Sequence, residues 1–133
     1  MKIHLLYVGK ARDAHANAMA AEYIKRTTRY ATCEMREIQP AKFDPWVEYP
    51  RALKVLLDPL GKPMTSHEFA KMFERDLVFV IGGTDGLPAE WRPKADVLVQ
   101  LTAMTLPHEL ARVVLAEQIY RALTIQRGHP YPR

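Results

Sequence analysis

The sequence has a single cysteine, Cys33, and five scattered histidines, so the residues that commonly form disulfides or bind zinc are scarce. One cysteine excludes an internal disulfide and any zinc site built from several cysteines. Within TCEMREI, Cys33 is interpreted as a small residue on a strand rather than a nucleophile. No two histidines stand at the H-x-x-x-H spacing of a helical zinc site. The sequence therefore predicts no metal site.

Long uncharged apolar runs are also lacking. The first segment, MKIHLLYVGK, is apolar for only a few residues before Gly9 and Lys10, far less than a signal peptide or a membrane span requires. We therefore expect a cytoplasmic protein without a membrane partner. A length of 133 residues with 48% hydrophobic content predicts one domain, residues 1–133, with one core.

Acidic residues are outnumbered by basic ones, 15 against 19, which gives a formal net charge of +4. The basic residues concentrate at residues 25–29 (KRTTR) and near the end of the chain, at Arg121, Arg127 and Arg133. Such clusters can neutralise phosphates and give salt-dependent nucleic-acid binding. A solvated helix face has the same composition. The charge pattern therefore permits an RNA partner without requiring one.

Alternating strand and helix patterns predict an α/β fold. Residues 3–9 (IHLLYVG) are apolar on both faces, which is typical of a strand buried on two sides. The residues after Asp13, a suitable N-cap, have helical periodicity. Residues 77–83 (LVFVIGG) and 96–101 (DVLVQL) are predicted as central strands. We predict a mostly parallel sheet flanked by helices.

The middle of the chain has weaker patterns. Residues 32–38 (TCEMREI) are predicted to form an edge strand, and residues 39–50 (QPAKFDPWVEYP) an exposed loop whose three prolines exclude a regular helix. Residues 53–58 (LKVLLD) are predicted to form a buried strand closed by the turn PLGKP. Residues 65–73 begin with the T-x-x-E pattern of a capping box, which predicts a short helix.

Three predicted strands end in loops that are candidates for a ligand site, because open α/β sheets bind ligands beyond the carboxyl ends of their strands. The loops follow Leu57 (LLDPLGK), Ile81 (IGGTDG) and Leu101 (LTAMTLPH). If these strands are neighbours, the loops converge on one pocket. The double glycine of GGTDG lets backbone N–H groups approach a ligand. It lacks the G-x-G-x-x-G and G-K-[ST] patterns, which disfavours a dinucleotide-binding oxidoreductase.

The stretch 101–123 (LTAMTLPHELARVVLAEQIYRAL) joins a loop of small side chains to a long helix. Main-chain atoms in such a loop can hydrogen bond an adenine edge, and Pro107 fits the first helical turn. The helix from His108 has apolar residues on more than one face, while Arg112 is predicted to lie off its core positions. This pattern fits contact with both the sheet and a second subunit. A helix packed entirely within one subunit has the same periodicity.

Four segments, MKIHLLYVGK, VFVIGGTDGL, LTAMTLPHELARVVLAEQIYRAL and RGHPYPR, closely resemble the ribosomal large subunit methyltransferase H family. These bacterial enzymes of the SPOUT class methylate N3 of a pseudouridine in 23S ribosomal RNA, using S-adenosylmethionine. The resemblance spans nearly the whole chain, and the order of I-G-G-x-x-G, T-L-P-H and R-V-x-x-x-E-Q-x-Y-R-A is specific. It implies a homodimer with a C-terminal trefoil knot, which neither composition nor periodicity indicates.

The resemblance also implies where the cofactor and the substrate bind. The cofactor pocket for S-adenosylmethionine would comprise Leu57, Gly82, Leu101, Thr102, Ala103, Met104, Thr105 and Leu106. On the substrate side we hypothesise that Tyr131, Arg133 and His129 of the tail act in catalysis, with Arg133 stabilising negative charge that develops on the base. The expected partner is ribosomal RNA in the assembled ribosome.

The sequence departs from the family pattern in two places. Between its second and third strands the family has a longer, charged, helical segment, where this chain has the proline-rich QPAKFDPWVEYP. The family also tends to end in Tyr-His followed by a basic residue, whereas Tyr131 is followed here by Pro132. These departures favour an alternative, a non-enzymatic RNA-binding or ribosome-associated factor that retains the fold. The cofactor loops favour an active methyltransferase.

Overall fold

The computed structural model describes residues 1–131, so the predicted catalytic residue Arg133 lies outside the described residues. Over residues 1–131 the chain forms a five-stranded sheet with helices on both faces. The strands are β1 (Lys2–Val8), β2 (Thr32–Ile38), β3 (Leu53–Pro63), β4 (Leu77–Ile81) and β5 (Val97–Gln100). The helices are α1 (Ala14–Thr27), α2 (Pro45–Glu48), α3 (Ser66–Ala70) and α4 (His108–Gln126), with a 3₁₀ turn at Ala89–Trp91.

The strand order is β2-β1-β4-β3-β5, and each neighbouring pair is parallel, which confirms the predicted sheet. β4 lies at the centre with all its residues buried, and β2 lies at an edge, as predicted. The prediction of a central position for residues 96–101 is wrong, because β5 forms the other edge of the described sheet. Its apolar pattern arises because Val99 and Leu98 pack into the cores on opposite faces.

The two faces of the sheet are covered by different elements. Helices α1, α3 and α4 pack on one face, around side chains such as Leu5 and Phe79. The short helix α2 and the 3₁₀ turn cover the other face, around Leu6, Val80 and Trp91. Each large apolar side chain that is fully buried contributes about 1.5–3 kcal/mol. The sheet is therefore held rigid from both sides, and its carboxyl edge is free to carry a site.

Local hydrogen bonds explain where the helices start. The Asp13 carboxylate accepts the N–H of Ala16 at 2.9 Å and caps α1, as predicted. α3 begins with the predicted capping box but ends at Ala70, short of the predicted residue 73. Within the described part of the chain, no helix combines the length and apolar character needed to cross a bilayer.

Residues 39–50 are not entirely a loop. α2 begins at Pro45, and Asp44 caps it by accepting the N–H of Trp46 at 2.8 Å. The prediction that the prolines exclude a helix was wrong, because a proline at the first helical position sacrifices no hydrogen bond. Trp46 packs against the core on this face, so the segment is also less exposed than predicted.

The predicted turn PLGKP is part of β3. Leu57 and Lys62 both pair with Val99 of β5, so residues 58–61 form a bulge and the strand then continues to Pro63. The glycine and prolines that resemble a turn in the sequence instead accommodate this bulge. The bulge matters for function because it lies at the carboxyl edge of the sheet.

Candidate ligand site

The bulge of β3 and the carboxyl ends of β4 and β5 meet at a cavity of about 600 Å³. This volume lies within the range of pockets that bind small molecules. The three strands are neighbours, so the loops after Leu57, Ile81 and Leu101 converge, as predicted. His108 and Ala111, at the start of α4, form a further wall of the cavity.

The structure brings together all the residues that the resemblance assigned to the cofactor. Residues 101–106 form neither helix nor strand, which leaves much of their backbone available to a ligand. Within this loop the Met104 N–H donates to Thr102 Oγ1 at 3.2 Å. The following residues of the assigned set line the cavity: Leu57, Gly82, Leu101, Thr102, Ala103, Met104, Thr105 and Leu106.

Close packing of the backbone requires glycine at position 82. A Cβ on Gly82 would lie 2.8 Å from the carbonyl carbon of Gly86 and 2.9 Å from its Cα. The N–H of Gly86 donates to the carbonyl of Gly83 at 3.0 Å and closes the turn. A side chain at position 82 would force this turn apart and change the cavity wall.

An ion pair that the sequence pattern did not reveal joins two walls of the cavity. Arg92 Nε lies 2.8 Å from Asp58 Oδ2, and both residues line the cavity. The side chain of Asp58 is 15% exposed and that of Arg92 is 43% exposed, so solvent screens the pair. Asp58 also accepts the N–H of Leu60 at 2.7 Å within the β3 bulge. Its signal in the sequence was its position, a carboxylate at the last residue of the predicted buried strand 53–58.

The tail residue Tyr131 lies against α4 rather than at the cavity. Its hydroxyl donates to Glu117 Oε2 at 2.9 Å. Its ring stands almost perpendicular to that of Tyr120, with 4.8 Å between centroids, and the Arg121 guanidinium lies 4.6 Å from its centroid. Burial raises the pKa of the Tyr131 phenol well above its ordinary value, and the hydrogen bond to the Glu117 carboxylate raises that pKa further.

His129 lies beyond the C-terminal end of α4. Its N–H donates to the carbonyl of Thr124 at 3.0 Å, and its ring centroid is 6.2 Å from that of Tyr30. The residues of α4 that contact Tyr131 lie about 14–20 Å along the helix from His108, at a rise of about 1.5 Å per residue. The structure therefore does not bring His129 or Tyr131 to the cavity of the same subunit.

Comparison with known proteins identifies the family. A sequence model for the family described as "Predicted SPOUT methyltransferase" matches residues 1–132. The chain belongs to the SPOUT methyltransferase family. The ribosomal RNA large subunit methyltransferase H of Solibacter usitatus is 56% identical over 139 residues, covering 100% of both chains. The protein of the same name from Thermus thermophilus is 38% identical over 138 residues, covering 100% of this chain and 99% of that one. Within the SPOUT methyltransferases, the chain is thus a member of the methyltransferase H group.

Solved SPOUT methyltransferases share the fold. The SpoU methyltransferase AviRb from Streptomyces viridochromogenes, in complex with AdoMet, has a TM-score of 0.56 and 17% identity, covering 96% of this chain and 60% of its own. An AdoMet-bound rRNA methyltransferase from Sinorhizobium meliloti has a TM-score of 0.54 and 13% identity, covering 90% and 55%. At these identities the likeness establishes the SPOUT methyltransferase fold.

Proposed function

We propose that this SPOUT methyltransferase transfers the methyl group of S-adenosylmethionine to N3 of a pseudouridine in 23S ribosomal RNA. The observation that carries the proposal is the cavity, because the loops after three neighbouring strands converge there. The relatives at 56% and 38% identity are named as methyltransferases of large subunit ribosomal RNA, which supports that substrate class. The choice of pseudouridine and of its N3 atom rests on the family resemblance.

The cavity fits S-adenosylmethionine in size and in chemistry. Apolar side chains of Leu57, Leu101 and Leu106 line it, and they are suited to the faces of an adenine ring. The backbone of residues 102–105 is suited to the polar edge of that ring. When bound, S-adenosylmethionine supplies a methyl group already activated by its sulfonium. The remaining tasks of the protein are to align N3 with that methyl group and to favour loss of the N3 proton.

A homodimer would bring the tail to the cavity. Because His129 and Tyr131 lie far along α4 from the cavity of their own subunit, we assign them to the substrate side of the partner's site. A partner packed in the opposite direction along α4 satisfies this geometry. Met19 of α1 and Leu110 of α4 are 52% and 46% exposed, which supports a second copy on these helices.

The tail residues then have separate roles. A tyrosine phenol is protonated at neutral pH, and the raised pKa of Tyr131 moves its ionisation still further from neutral pH. Tyr131 therefore acts as a hydrogen-bond donor rather than as the base that removes the N3 proton. Arg133 supplies positive charge to the base as its N3 loses the proton. His129 completes the polar surface that faces the substrate.

Basic residues on α1 and just beyond it are proposed to contact RNA phosphates. Lys25 and Arg26 lie in the last turn of α1, and Arg29 follows it. This end of α1 adjoins the tail, because Arg127 Nη2 donates to the carbonyl of Tyr30 at 3.1 Å. We therefore expect ribosome binding to weaken as salt is raised. A ribosomal substrate also fits the expected location in the cytoplasm.

Calorimetric titration of S-adenosylmethionine into the purified protein tests the pocket. Ribosomes from a strain lacking the enzyme are then added, and incorporation of labelled methyl groups is counted. We expect both binding and incorporation. Binding without incorporation would favour the non-enzymatic ribosome-associated factor, and absence of binding would refute the assignment of the cavity.

A further inference from the structure

We propose that the loop between β1 and α1, residues 9–13, is an additional RNA phosphate site at the rim of the cavity. Two exposed cations of this loop, Lys10 and Arg12, would contact the phosphates. Glu109 and the buried Arg112 of α4 hold the loop in place. The inference rests on the proposed function, since it names a further contact to the same ribosomal substrate.

One side of the loop packs against a wall of the cavity. Gly83 lines the cavity, and a Cβ on Gly83 would lie 2.8 Å from the carbonyl oxygen of Val8 and 3.8 Å from Gly9 Cα. The backbones at the start of the loop and at the cavity wall are therefore in direct contact. A substrate nucleotide bound at this wall of the cavity would therefore lie next to the loop.

The other side of the loop is tied to α4. Glu109 directly follows His108, which lines the cavity. Glu109 Oε1 accepts the N–H of Arg12 at 2.7 Å and the N–H of Asp13 at 2.8 Å. One carboxylate oxygen thus fixes two consecutive backbone groups of the loop, and it does so from the turn of α4 that closes the cavity.

Arg112 connects the same helix to the loop from inside the protein. Its side chain is only 3% exposed and its Nη2 lies 4.0 Å from Glu109 Oε1. Nη2 also donates to Asn17 Oδ1 at 2.5 Å, and Asn17 Nδ2 donates to the carbonyl of Ala11 at 3.0 Å. The guanidinium carbon lies 4.8 Å from the centroid of the Tyr7 ring. Burying a charge is costly unless it is paired and hydrogen bonded, and the partners of Arg112 converge on the loop.

The chemistry of the loop fits phosphate. Within residues 1–131, neither Lys10 nor Arg12 forms an ion pair with a carboxylate, whereas Arg26, Arg92 and Arg121 each do. An unpaired exposed cation gains more binding free energy from contact with a phosphate than a cation that must first break its ion pair with a carboxylate. A loop that is already fixed loses little conformational entropy on binding. The loop therefore presents two exposed cations from a backbone that is fixed at Ala11, Arg12 and Asp13.

The double variant Lys10→Ala/Arg12→Ala tests the contact. We expect the KM for ribosomes to rise on the order of tenfold, and the slope of log affinity against log salt to fall by about 1.5 for two lost phosphates. The affinity for S-adenosylmethionine should not change. Lys71→Ala, which removes an exposed cation next to α3, is the matched control and should leave all three values unchanged. An unchanged KM and salt slope in the double variant would overturn the inference.

The variant Glu109→Ala tests the positioning. We expect faster hydrogen exchange at the amides of Arg12 and Asp13 and a raised KM for ribosomes, with kcat retained. Glu109→Gln keeps an acceptor oxygen and should restore both values towards those of the unaltered protein. Arg112→Met should also speed amide exchange and raise the KM. If Arg112→Met does not fold, Glu109→Ala alone carries the test. Fast exchange at both amides with an unchanged KM would show that the fixed loop has no part in substrate binding.

The two proposals fail differently. An unaltered protein that neither binds S-adenosylmethionine nor methylates ribosomes would overturn the proposed function, and this inference with it. An unaltered protein that methylates ribosomes, with a double variant that behaves identically, would overturn the phosphate site alone.

Discussion

Burial determines the chemistry of Cys33. The residue is 8% exposed on β2, and desolvation raises the pKa of its thiol from 9.0 to about 12. Because the thiolate is the reactive form, the native protein holds little reactive sulfur at neutral pH.

We expect Cys33 to react with a thiol reagent at pH 8 only as fast as the protein unfolds. Labelling in denaturant provides the control and should be complete. The same raised pKa predicts that stability falls as the pH increases from 9.0 towards about 12, because the unfolded thiol ionises first. Rapid labelling of the native protein at pH 8 would contradict this prediction.

Gly82→Ala should disrupt cofactor binding while leaving the protein folded. A strained loop costs about 1–3 kcal/mol, which corresponds to a loss of about 5- to 150-fold in affinity for S-adenosylmethionine. Gly128→Ala is the matched control, since it introduces strain at a φ of +63° beyond the end of α4, away from the cavity of its own subunit. Calorimetry and thermal unfolding of both variants distinguish a local effect from a global one. Equal cofactor affinity in the two variants would argue against the assigned pocket.

Among the elements, α2 depends on a single cap. Asp44→Ala removes the acceptor for the N–H of Trp46, and we expect a loss of about 1 kcal/mol in stability. From its place in α2, the indole N–H of Trp46 donates to the carbonyl of Lys94 at 3.2 Å. Loss of the helix would break this hydrogen bond, and Trp46 should then become more exposed. Urea unfolding and a red shift in tryptophan fluorescence measure the two effects. Asp44→Asn keeps the acceptor and should largely preserve both properties.

The elements that could be predicted from sequence are those set by local interactions. The Asp13 cap and the capping box of α3 involve residues a few positions apart, so their patterns can be recognised in the sequence. The continuous apolar run of β4 likewise indicates a strand buried on both faces. The convergence of three loops followed from the general rule for parallel sheets.

The features that were missed depend on contacts between distant residues. The bulge of β3 is defined by pairing with Val99, and the edge position of β5 by the order of strands. Arg112 can be buried because its guanidinium donates hydrogen bonds to Asn17 and Met35, which are both far away in sequence. No spacing within α4 indicates those partners. The trefoil knot, the tail's catalytic role and cofactor binding at the cavity stay predictions.

At the scale of the whole molecule, His129 and Tyr131 lie away from the cavity of their own subunit, and this separation makes a shared active site testable. A Gly82→Ala subunit lacks a working cavity, and a subunit without residues 129–133 lacks the tail. If each cavity uses the partner's tail, a refolded equal mixture should recover about a quarter of full activity, because half of its dimers contain one intact site. At an S-adenosylmethionine concentration well below the Kd of the Gly82→Ala variant, each variant alone should be nearly inactive. No recovery from a mixture that sedimentation shows to be dimeric would contradict the arrangement.

The central position of β4 also has a consequence for how the chain is made. β1 is synthesised before β4, yet one edge of β1 pairs with residues 77–81. Until that segment leaves the ribosome, the nascent sheet keeps an unpaired apolar edge, which is a template for pairing with other chains. Folding must then close loops of many residues, and such long-range pairing is slow. The sheet of a protein that we propose to modify ribosomes therefore stays open, while the chain is still on the ribosome, until residues 77–81 have emerged.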